Sequence, residues 1–507
     1  MPSAAKTIHS QTPPMTVRSL LRSPVQLRKE ILAGLVVALA LIPEAISFSI
    51  IAGVDPRVGL FASFTMAVTI AVVGGRPAMI SAATGAVALV VAPVVDEYGL
   101  DYLLATVILA GLLQIVLSLA GIAKLMRFIP RSVMTGFVNA LAILIFSAQL
   151  PQLFGDDIPW LVYPLVAAGL AIIVFLPRLS SVVPSPLVAI VVLTVVVVSF
   201  SWNVPTVEDE GALPDSLPSL LLPDVPWTWH TLSVIAPYAL AMALVGLMES
   251  LMTAKLVDDI TDTHSDKTRE SWGQGVANIV TGFFGGMGGC AMIGQTMINV
   301  KQSGARTRLS TFLAGGFLLI LVVVLGDIVG IIPMAALVAV MIMVSVGTFD
   351  WHSITPRTLR LMPFPETLVM LVTVAATVAT SNLAIGVVLG VLTAMVLFAR
   401  RVAHLTGVEA TTETTSDGVE VRRYRVTGQL FFASSNDLVY QFDYAGDPGT
   451  VVIDLTAADI WDASTVAALD AILRKYRDRG KDATIVGLTG ASLQRLERLS
   501  GQLGAGH

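Results

Sequence analysis

The stretch "GGMGGCAMIGQTMINVKQSG" (Gly285–Gly304) is apolar, yet it is too short and too rich in glycine to cross a bilayer as one helix. Its glycines, which lose the most backbone freedom on helix formation, spoil an early helix, and a new helix start is predicted near Gly294. A counterpart lies far upstream in "RPAMISAATGAVALVVAPVV" (Arg76–Val95), where an extended run to Thr84 gives way to a short helix from Gly85. Where these two broken segments fall in the chain decides the fold.

The chain around them is 507 residues long, 55% hydrophobic and 13% charged, with a mean hydropathy of +0.79. A soluble domain carries roughly 25% charged residues. The chain therefore reads as a polytopic membrane protein. A bilayer core about 30 Å thick takes about 20 apolar residues per helical span, and such runs recur from Ile31 to Phe398. Hydropathy and turn signals place segments at 31–53, 57–74, 79–96, 102–122, 132–150, 160–178 and 183–201, then at 231–257, 271–289, 294–304, 308–332, 334–347, 366–381 and 383–399. The two broken segments stand third in each set of seven. An odd number of spans per half turns the second half over, which is the pattern of an inverted repeat, and paired broken helices at matching places point to a transporter's central site.

Lysine and arginine set the orientation. Arg18, Arg22, Arg28 and Lys29 precede the first span, and Arg76, Lys124, Arg127, Arg131, Arg178, Lys301, Arg306, Arg308, Arg357, Arg360, Arg400 and Arg401 fall in or beside turns of one side. The longest opposite loop, Asn203–Trp227, has no lysine or arginine, and Arg57 is the exception on that side. Both termini are expected in the cytoplasm, with the chain multi-pass in the cell membrane. No cleavable signal peptide is expected, because the first apolar run is a full span. The net charge of −5 adds little, and the single cysteine, Cys290, excludes an intrachain disulfide.

Each broken segment begins a helix, and a helix start presents free N–H groups and about half a unit of positive charge. Two such starts aimed at one another near the midplane form an anion site built from backbone, to which Thr84 and Gln295 add uncharged donors. Glycine-rich membrane segments also let helices pack closely, and the pattern alone leaves both readings open.

The motifs "IPEAISFSIIAGVDPRVGLFASF" (Ile42–Phe64), "ESLMTAKLVDD" (Glu249–Asp259) and "GQGVANIVTGFFGGMGGCAMIGQTMINVKQSGARTRLS" (Gly273–Ser310) resemble the sulfate permease family of anion transporters, also called solute carrier family 26, in its bacterial form. The resemblance runs over nearly the whole chain. It implies an α-helical membrane protein of fourteen segments in two inverted seven-segment repeats, with a core domain of segments 1–4 and 8–11 and a gate domain of segments 5–7 and 12–14. Elevator-like movement and a homodimer are implied with it. The implied substrate site comprises Thr84, Gly85 and Ala86 at the third helix start and Gln295, Thr296 and Met297 at the tenth, with Phe48 and Glu44 lining it from the first helix. Some relatives carry a basic residue where this chain has Thr296, and many carry glutamine where it has Glu44.

That placement bears on "ALIPEAISFS" (Ala40–Ser49), which puts a proline and a carboxylate inside an apolar span. Pro43 is expected to break the helical ladder where it passes the site. A carboxylate beside a bound anion repels it unless protonated, so a proton and an anion would bind and leave together, which is the physics of symport. Glu44 is expected to couple protons or line the site; the alternative is a hydrogen bond that caps the Pro-broken turn. Glu249, deep in the eighth segment, has two readings: proton carrier, or structural partner of the half-helix donors. Asn299, Lys301, Arg306 and Arg308 are expected to finish the tenth helix and its turn.

The last hundred residues differ. "VEVRRYRVTGQLFF" (Val419–Phe432) alternates like a strand pair, "TVVIDLTAADIWDAS" (Thr450–Ser464) runs from a buried strand into a helix opened by Asp462 and Ser464, and a helix, a strand and a further helix follow. A small cytoplasmic α/β domain is expected. It resembles the sulfate transporter and anti-sigma factor antagonist (STAS) domain. In its signalling relatives a serine at this helix start is phosphorylated; for Ser464 a plain helix cap is expected. Trafficking, stability or regulation through a protein partner are the roles the resemblance implies.

The expected layout is an N-terminal segment 1–30, a transport domain 31–400 with repeats at 31–201 and 231–400, a linker 401–418 and the STAS domain 419–507. No metal spacing, P-loop or dinucleotide fingerprint is present, so no enzyme activity, cofactor, metal or nucleic-acid partner is expected. The expected function is secondary active transport of a small anion coupled to protons, the anion being a carboxylate or fumarate-like dicarboxylate, or sulfate or bicarbonate. The alternatives are an uncoupled exchanger or channel, a nucleobase:proton symporter of the same fold, and a membrane-tethered signalling scaffold.

Overall fold

A computed structural model describes residues 23–121, 124, 129–155, 158–179, 184–214, 216–403, 406–414 and 418–501. Arg18, Arg22 and Arg127 lie outside them, with most of the expected N-terminal segment. The chain forms two compact units, Met1–Val391 and Leu392–His507.

The first unit opens with α1 (Pro24–Ile51) and α2 (Pro56–Val73). Each begins on a proline, whose missing N–H costs nothing in the first helical turn. The expectation that Pro43 breaks α1 is corrected, because the helix runs through it. Pro43 costs one backbone bond, to the Leu39 carbonyl, while Ser47 donates its hydroxyl to the Pro43 carbonyl at 2.8 Å. Next come a two-residue strand, β1 (Ser81–Ala82), and the half-helix α3 (Gly85–Tyr98), followed by α4 (Leu100–Leu119), α5 (Arg131–Ser147), α6 (Val162–Leu179) and α7 (Ser185–Ser199).

The second half repeats the sequence of elements. It contains α8 (Trp229–Thr261), α9 (Lys267–Phe283), β2 (Cys290–Ala291), α10 (Ile293–Met297), α11 (Arg308–Val324), α12 (Met334–Thr348), α13 (Phe364–Thr380) and α14 (Leu383–Ala403). α10 continues as a π turn over Ile298–Gln302, making one ten-residue helical run. Among the described residues, six helices are long and apolar enough to cross a membrane by length and composition, and five shorter apolar helices lie among them.

Packing sorts these helices into two bundles. α9 lies on α4 and α2, α11 on α1 and α2, and α8 on α4, which gathers α1–α4 with α8–α11. α5 packs on α13 and α12, while α6 lies on α7 and α12, so the second bundle is built from α5–α7 and α12–α13. Gly386 and Gly390 seat α14 against Thr377 and Thr373 of α13. The bundles meet where α1 touches α12 and α7, and where α3 touches α5. One continuous apolar core, including Leu41, Phe48, Val87, Phe137 and Met242, runs through both.

The second unit is a four-stranded sheet ordered β3–β4–β5–β6: β3 (Gly407–Thr414), β4 (Glu420–Leu430), β5 (Thr450–Ile460) and β6 (Asp482–Val486). β3 and β4 are antiparallel, and the other pairs are parallel. Three helices accompany it: α15 (Phe432–Leu438), α16 (Ala463–Arg477) and α17 (Gly490–Leu499). Val419–Phe432 therefore supplies one strand, where a pair was expected, and its hairpin partner β3 occupies the stretch expected as linker. Asp462 caps α16 by accepting from the Thr465 N–H at 3.0 Å. Ser464 is thus corrected from cap to an exposed residue within the first turn.

Candidate functional site

The two half-helices are held by their approach strands. β1 and β2 pair antiparallel, Ser81 opposite Ala291 and Ala82 opposite Cys290. Met292 extends the ladder by donating its N–H to the Ile80 carbonyl at 2.8 Å. So short a ladder leaves donors over, and neighbouring helices take them: Ser63 of α2 accepts from the Ala83 N–H at 3.3 Å, and Ser250 of α8 accepts from the Ala291 N–H at 3.1 Å. A Cβ on Gly289 would stand 2.0 Å from the Ala82 carbonyl oxygen, so only glycine lets the strands come this close. The close-packing reading of this glycine-rich stretch therefore holds at Gly289, and it is the means by which the half-helices are brought together.

Beyond the strands, both helix starts keep open donors. Thr84 caps α3 by accepting from the Val87 N–H at 3.3 Å. Among the described residues, nothing accepts from the N–H groups of Gly85 and Ala86, or from those of Ile293, Gly294 and Gln295 at the start of α10. Gly294 is exposed, with no heavy atom within 4 Å of the position its Cβ would take. Phe48 comes down on the other start, where a Cβ on Gly85 would lie 2.9 Å from its ring, with Ile145 of α5 on the far side.

Two acids reach this centre, one from the first helix of each half. Glu44 of α1 accepts from the Gln295 side-chain amide at 2.9 Å. The Gln295 Oε1 atom is buried and has no protein partner, so the amide has an idle acceptor beside the helix start. Glu249 of α8 is 7% exposed and accepts from the Cys290 thiol at 2.9 Å. The thiol in turn lies 3.2 Å from the Thr84 hydroxyl. Neither acid forms an ion pair among the described residues.

The structure thus brings together Glu44 with Gln295, Phe48 with Gly85, and Glu249 with Thr84, leaving Ala86 to contribute a backbone N–H. It does not bring Thr296 or Met297 to the same place by their side chains. The Thr296 hydroxyl accepts from the Ile80 N–H at 3.0 Å, stapling α10 to the other half's approach strand. Met297 packs with the cluster of Ala33, Ala78, Val257, Val300 and Ala305. Glu44 does not cap its own helix, because its hydrogen bond goes across to α10. Asn299 donates to the Ala78 carbonyl and to Ser310, Arg306 to the Val300 carbonyl, and Arg308 to the Ala71 carbonyl. All three hold the turn and the strand entry.

Sequence reading passed over Cys290, Ser63, Ser250 and a polar ladder on α9. There Glu270 accepts from the Gly75 and Arg76 N–H groups, Gln274 donates to Ser81, and Asn278 both donates to the Gly289 carbonyl and accepts from its N–H. The i, i+4, i+8 spacing of these three polar residues, one face of a membrane helix, was the available signal.

Two half-helices with open N–H groups, each with an acid beside it, are the arrangement of a membrane transport protein built on broken helices. The chain belongs to the sulfate permease family, whose profile matches residues 27–162 and 156–373, and the STAS domain profile matches residues 412–501. It is 54% identical over 94% of its length to the Bacillus subtilis protein named "Putative sulfate transporter YbaR", 97% of which is covered. It is 26% identical over 93% of its length to the bicarbonate transporter BicA of Picosynechococcus, covering 91% of that chain. Among solved structures, the murine Slc26a9 anion transporter superposes with a TM-score of 0.79 at 16% identity, covering 97% of this chain and 92% of that one. The transmembrane domain of a cyanobacterial BicA superposes with a TM-score of 0.64 at 24% identity, over 75% of this chain and 98% of that one. These relatives are transporters, not enzymes, and both solved structures share the fold.

Proposed function

We propose that this protein carries a small oxyanion across the cell membrane together with protons, the anion being sulfate, bicarbonate or a dicarboxylate of fumarate's kind. The names of YbaR and BicA support an oxyanion. The observation that carries the coupling is the Glu44–Gln295 pair. With Glu44 ionised, the amide N–H is spent on the carboxylate and the acid's charge repels an incoming anion. With Glu44 protonated, the acid donates to the amide oxygen instead, the amide turns over, and its N–H joins the open backbone donors of α10. A proton thereby removes a negative charge and supplies a donor in one step, which makes anion and proton affinities reciprocal.

The substrate is held by the N–H groups of Gly85, Ala86, Gln295 and their neighbours, with Phe48 shielding it from water. Thr84 and Gln295 supply side-chain donors, while Thr296 and Met297 hold the start of α10. Glu44 and Glu249 are the proton carriers. The core bundle moves against the gate bundle as an elevator, in a chain of fourteen crossings with both termini in the cytoplasm. The protein works as a homodimer, its transport domain spanning 31–400 and its STAS domain taking a regulatory protein partner.

The test is uptake of labelled sulfate, bicarbonate and fumarate into proteoliposomes, with and without an inward proton gradient. One oxyanion accumulating under the gradient is expected. Equal fluxes with and without it would mean an uncoupled exchanger or channel, and halide-only transport would remove the oxyanion reading.

A further inference from the structure

The thiol of Cys290 lies between Glu249 and Thr84, 2.9 Å from Glu249 Oε2 and 3.2 Å from Thr84 Oγ1. It is fully buried and is the only cysteine in the chain. A thiol carries one hydrogen and accepts weakly, so it donates to one neighbour while accepting from the other. The direction of this three-membered chain is therefore set at its ends. We propose that Cys290 is a positioning residue that transmits the protonation state of Glu249 to the Thr84 hydroxyl at the start of α3. The proposal rests on the proton-coupled reading above.

With Glu249 ionised, its oxygen only accepts. The S–H points to Glu249, the Thr84 O–H points to the sulfur, and Val87 donates its N–H to the Thr84 oxygen at 3.3 Å. The hydroxyl hydrogen is then committed away from the anion, and a lone pair remains toward it. With a proton on Glu249, the acid O–H donates to the sulfur and the S–H turns to Thr84 Oγ1. That oxygen now accepts from both the thiol and Val87, so its own hydrogen is released beside the open N–H groups of Gly85 and Ala86. No bond to sulfur breaks and no proton leaves: the added proton stays on Glu249, and two rotors turn. One site group changes from acceptor to donor, which an anion distinguishes strongly.

The rest of the surroundings leave this chain as the recorded connection. The titratable groups on the elements packed against α8 are Asp96, Glu97 and Tyr98 near the end of α3, Asp101 and Tyr102 at the start of α4, Lys267, Arg269 and Glu270 in the first turn of α9, and Lys301 on the π turn; the described hydrogen bonds and ion pairs join none of them to Glu249. The backbone beside the thiol is pinned separately by Ser250 and Asn278, so the thiol is not needed to hold β2 in place.

The test uses the full chain with sulfate as probe. Equilibrium sulfate affinity of the detergent-solubilised protein is measured against pH for the wild type, Cys290→Ala and Cys290→Ser. The S–H stretching band, which a single residue can produce, is followed by infrared spectroscopy in the wild type and Glu249→Gln. Cys290→Ala is expected to weaken sulfate binding about tenfold at the acid end of the range and to flatten its pH dependence. Cys290→Ser keeps a two-way rotor and is expected to recover most of that loss. The S–H band is expected to shift with pH in the wild type and to stay fixed in Glu249→Gln. A folded Cys290→Ala with wild-type affinity and pH profile, equal defects in both variants, or a pH-invariant band would each overturn the proposal. Intact pH-linked binding without gradient-driven uptake would remove the symport reading alone and leave the relay standing.

Discussion

Gln295 of α10 and Glu44 of α1, 251 positions apart in the chain, share a hydrogen bond of 2.9 Å at the point where the two broken halves cross. The bond ties a group at a helix start to the acid that follows Pro43 in α1, and it loses its ionic character when that acid is neutral. Charge-assisted hydrogen bonds are roughly twice as strong as neutral ones, so the pair is a place where protonation changes structure.

Replacing Glu44 with glutamine fixes this pair in its neutral form. Stimulation of uptake by an inward proton gradient is expected to fall at least tenfold, with substrate binding retained. Parallel uptake and binding measurements check this; a variant still driven by the gradient would move the coupling to Glu249.

Gly289→Ala puts a methyl group 2.0 Å from the Ala82 carbonyl, where the obstacle is backbone and has no rotamer to escape into. A loss of at least ~2 kcal/mol is expected. Thermal unfolding followed by size-exclusion chromatography would show it as a reduced yield of folded protein. Gly294→Ala, where the Cβ meets nothing, serves as the folded control.

Asn278→Ala leaves the Gly289 N–H and carbonyl without their side-chain partner and removes a bond to Gln114 of 2.9 Å. All of these groups are buried, and unmet buried groups cost roughly 1–3 kcal/mol each. Stability is expected to drop by ~2–4 kcal/mol, read from the same melting assay. An unchanged melting point would mean that other groups close the gap.

In the STAS unit, Tyr424 and Tyr476 both donate to the buried carboxylate of Asp447, at 2.8 and 2.6 Å. Burial and this negative neighbour push both phenols up from their usual range, and burial raises Tyr444 to about 12. A phenol raised in the folded state holds its proton after the unfolded chain has released it. The stability it gives is full below pH about 10 and is lost as pH rises through the folded values. The tyrosinate absorbance that the full chain loses in Tyr424→Phe and Tyr476→Phe is expected to appear only as this unit unfolds. Tyr444→Phe is expected to flatten the alkaline loss; an early, structure-independent titration would contradict the buried triad.

Much of this protein was legible in its sequence, because the bilayer imposes a one-dimensional rule: apolar length makes a span, and glycine interrupts it. Segment positions, the two half-helix starts near Gly85 and Gly294, and the α/β character of the tail all follow from local composition. Pro43 misled that reading. Proline removes one hydrogen bond from α1, and the long apolar flanks, packed on both sides, keep the helix whole.

Partnership was decided by tertiary structure alone. Nothing local says that Thr296 spends its hydroxyl on Ile80, that Glu44 reaches Gln295, or that Cys290 stands between Glu249 and Thr84, since three of these contacts join residues more than 200 positions apart and Glu249 and Cys290 are 41 apart, on different elements. Strand β3 stayed hidden for the same reason, its polar residues becoming a strand only when β4 offers its edge. The sequence states which polar groups are buried among apolar ones; where each finds its hydrogen bond depends on which chain segments the fold brings within 3 Å.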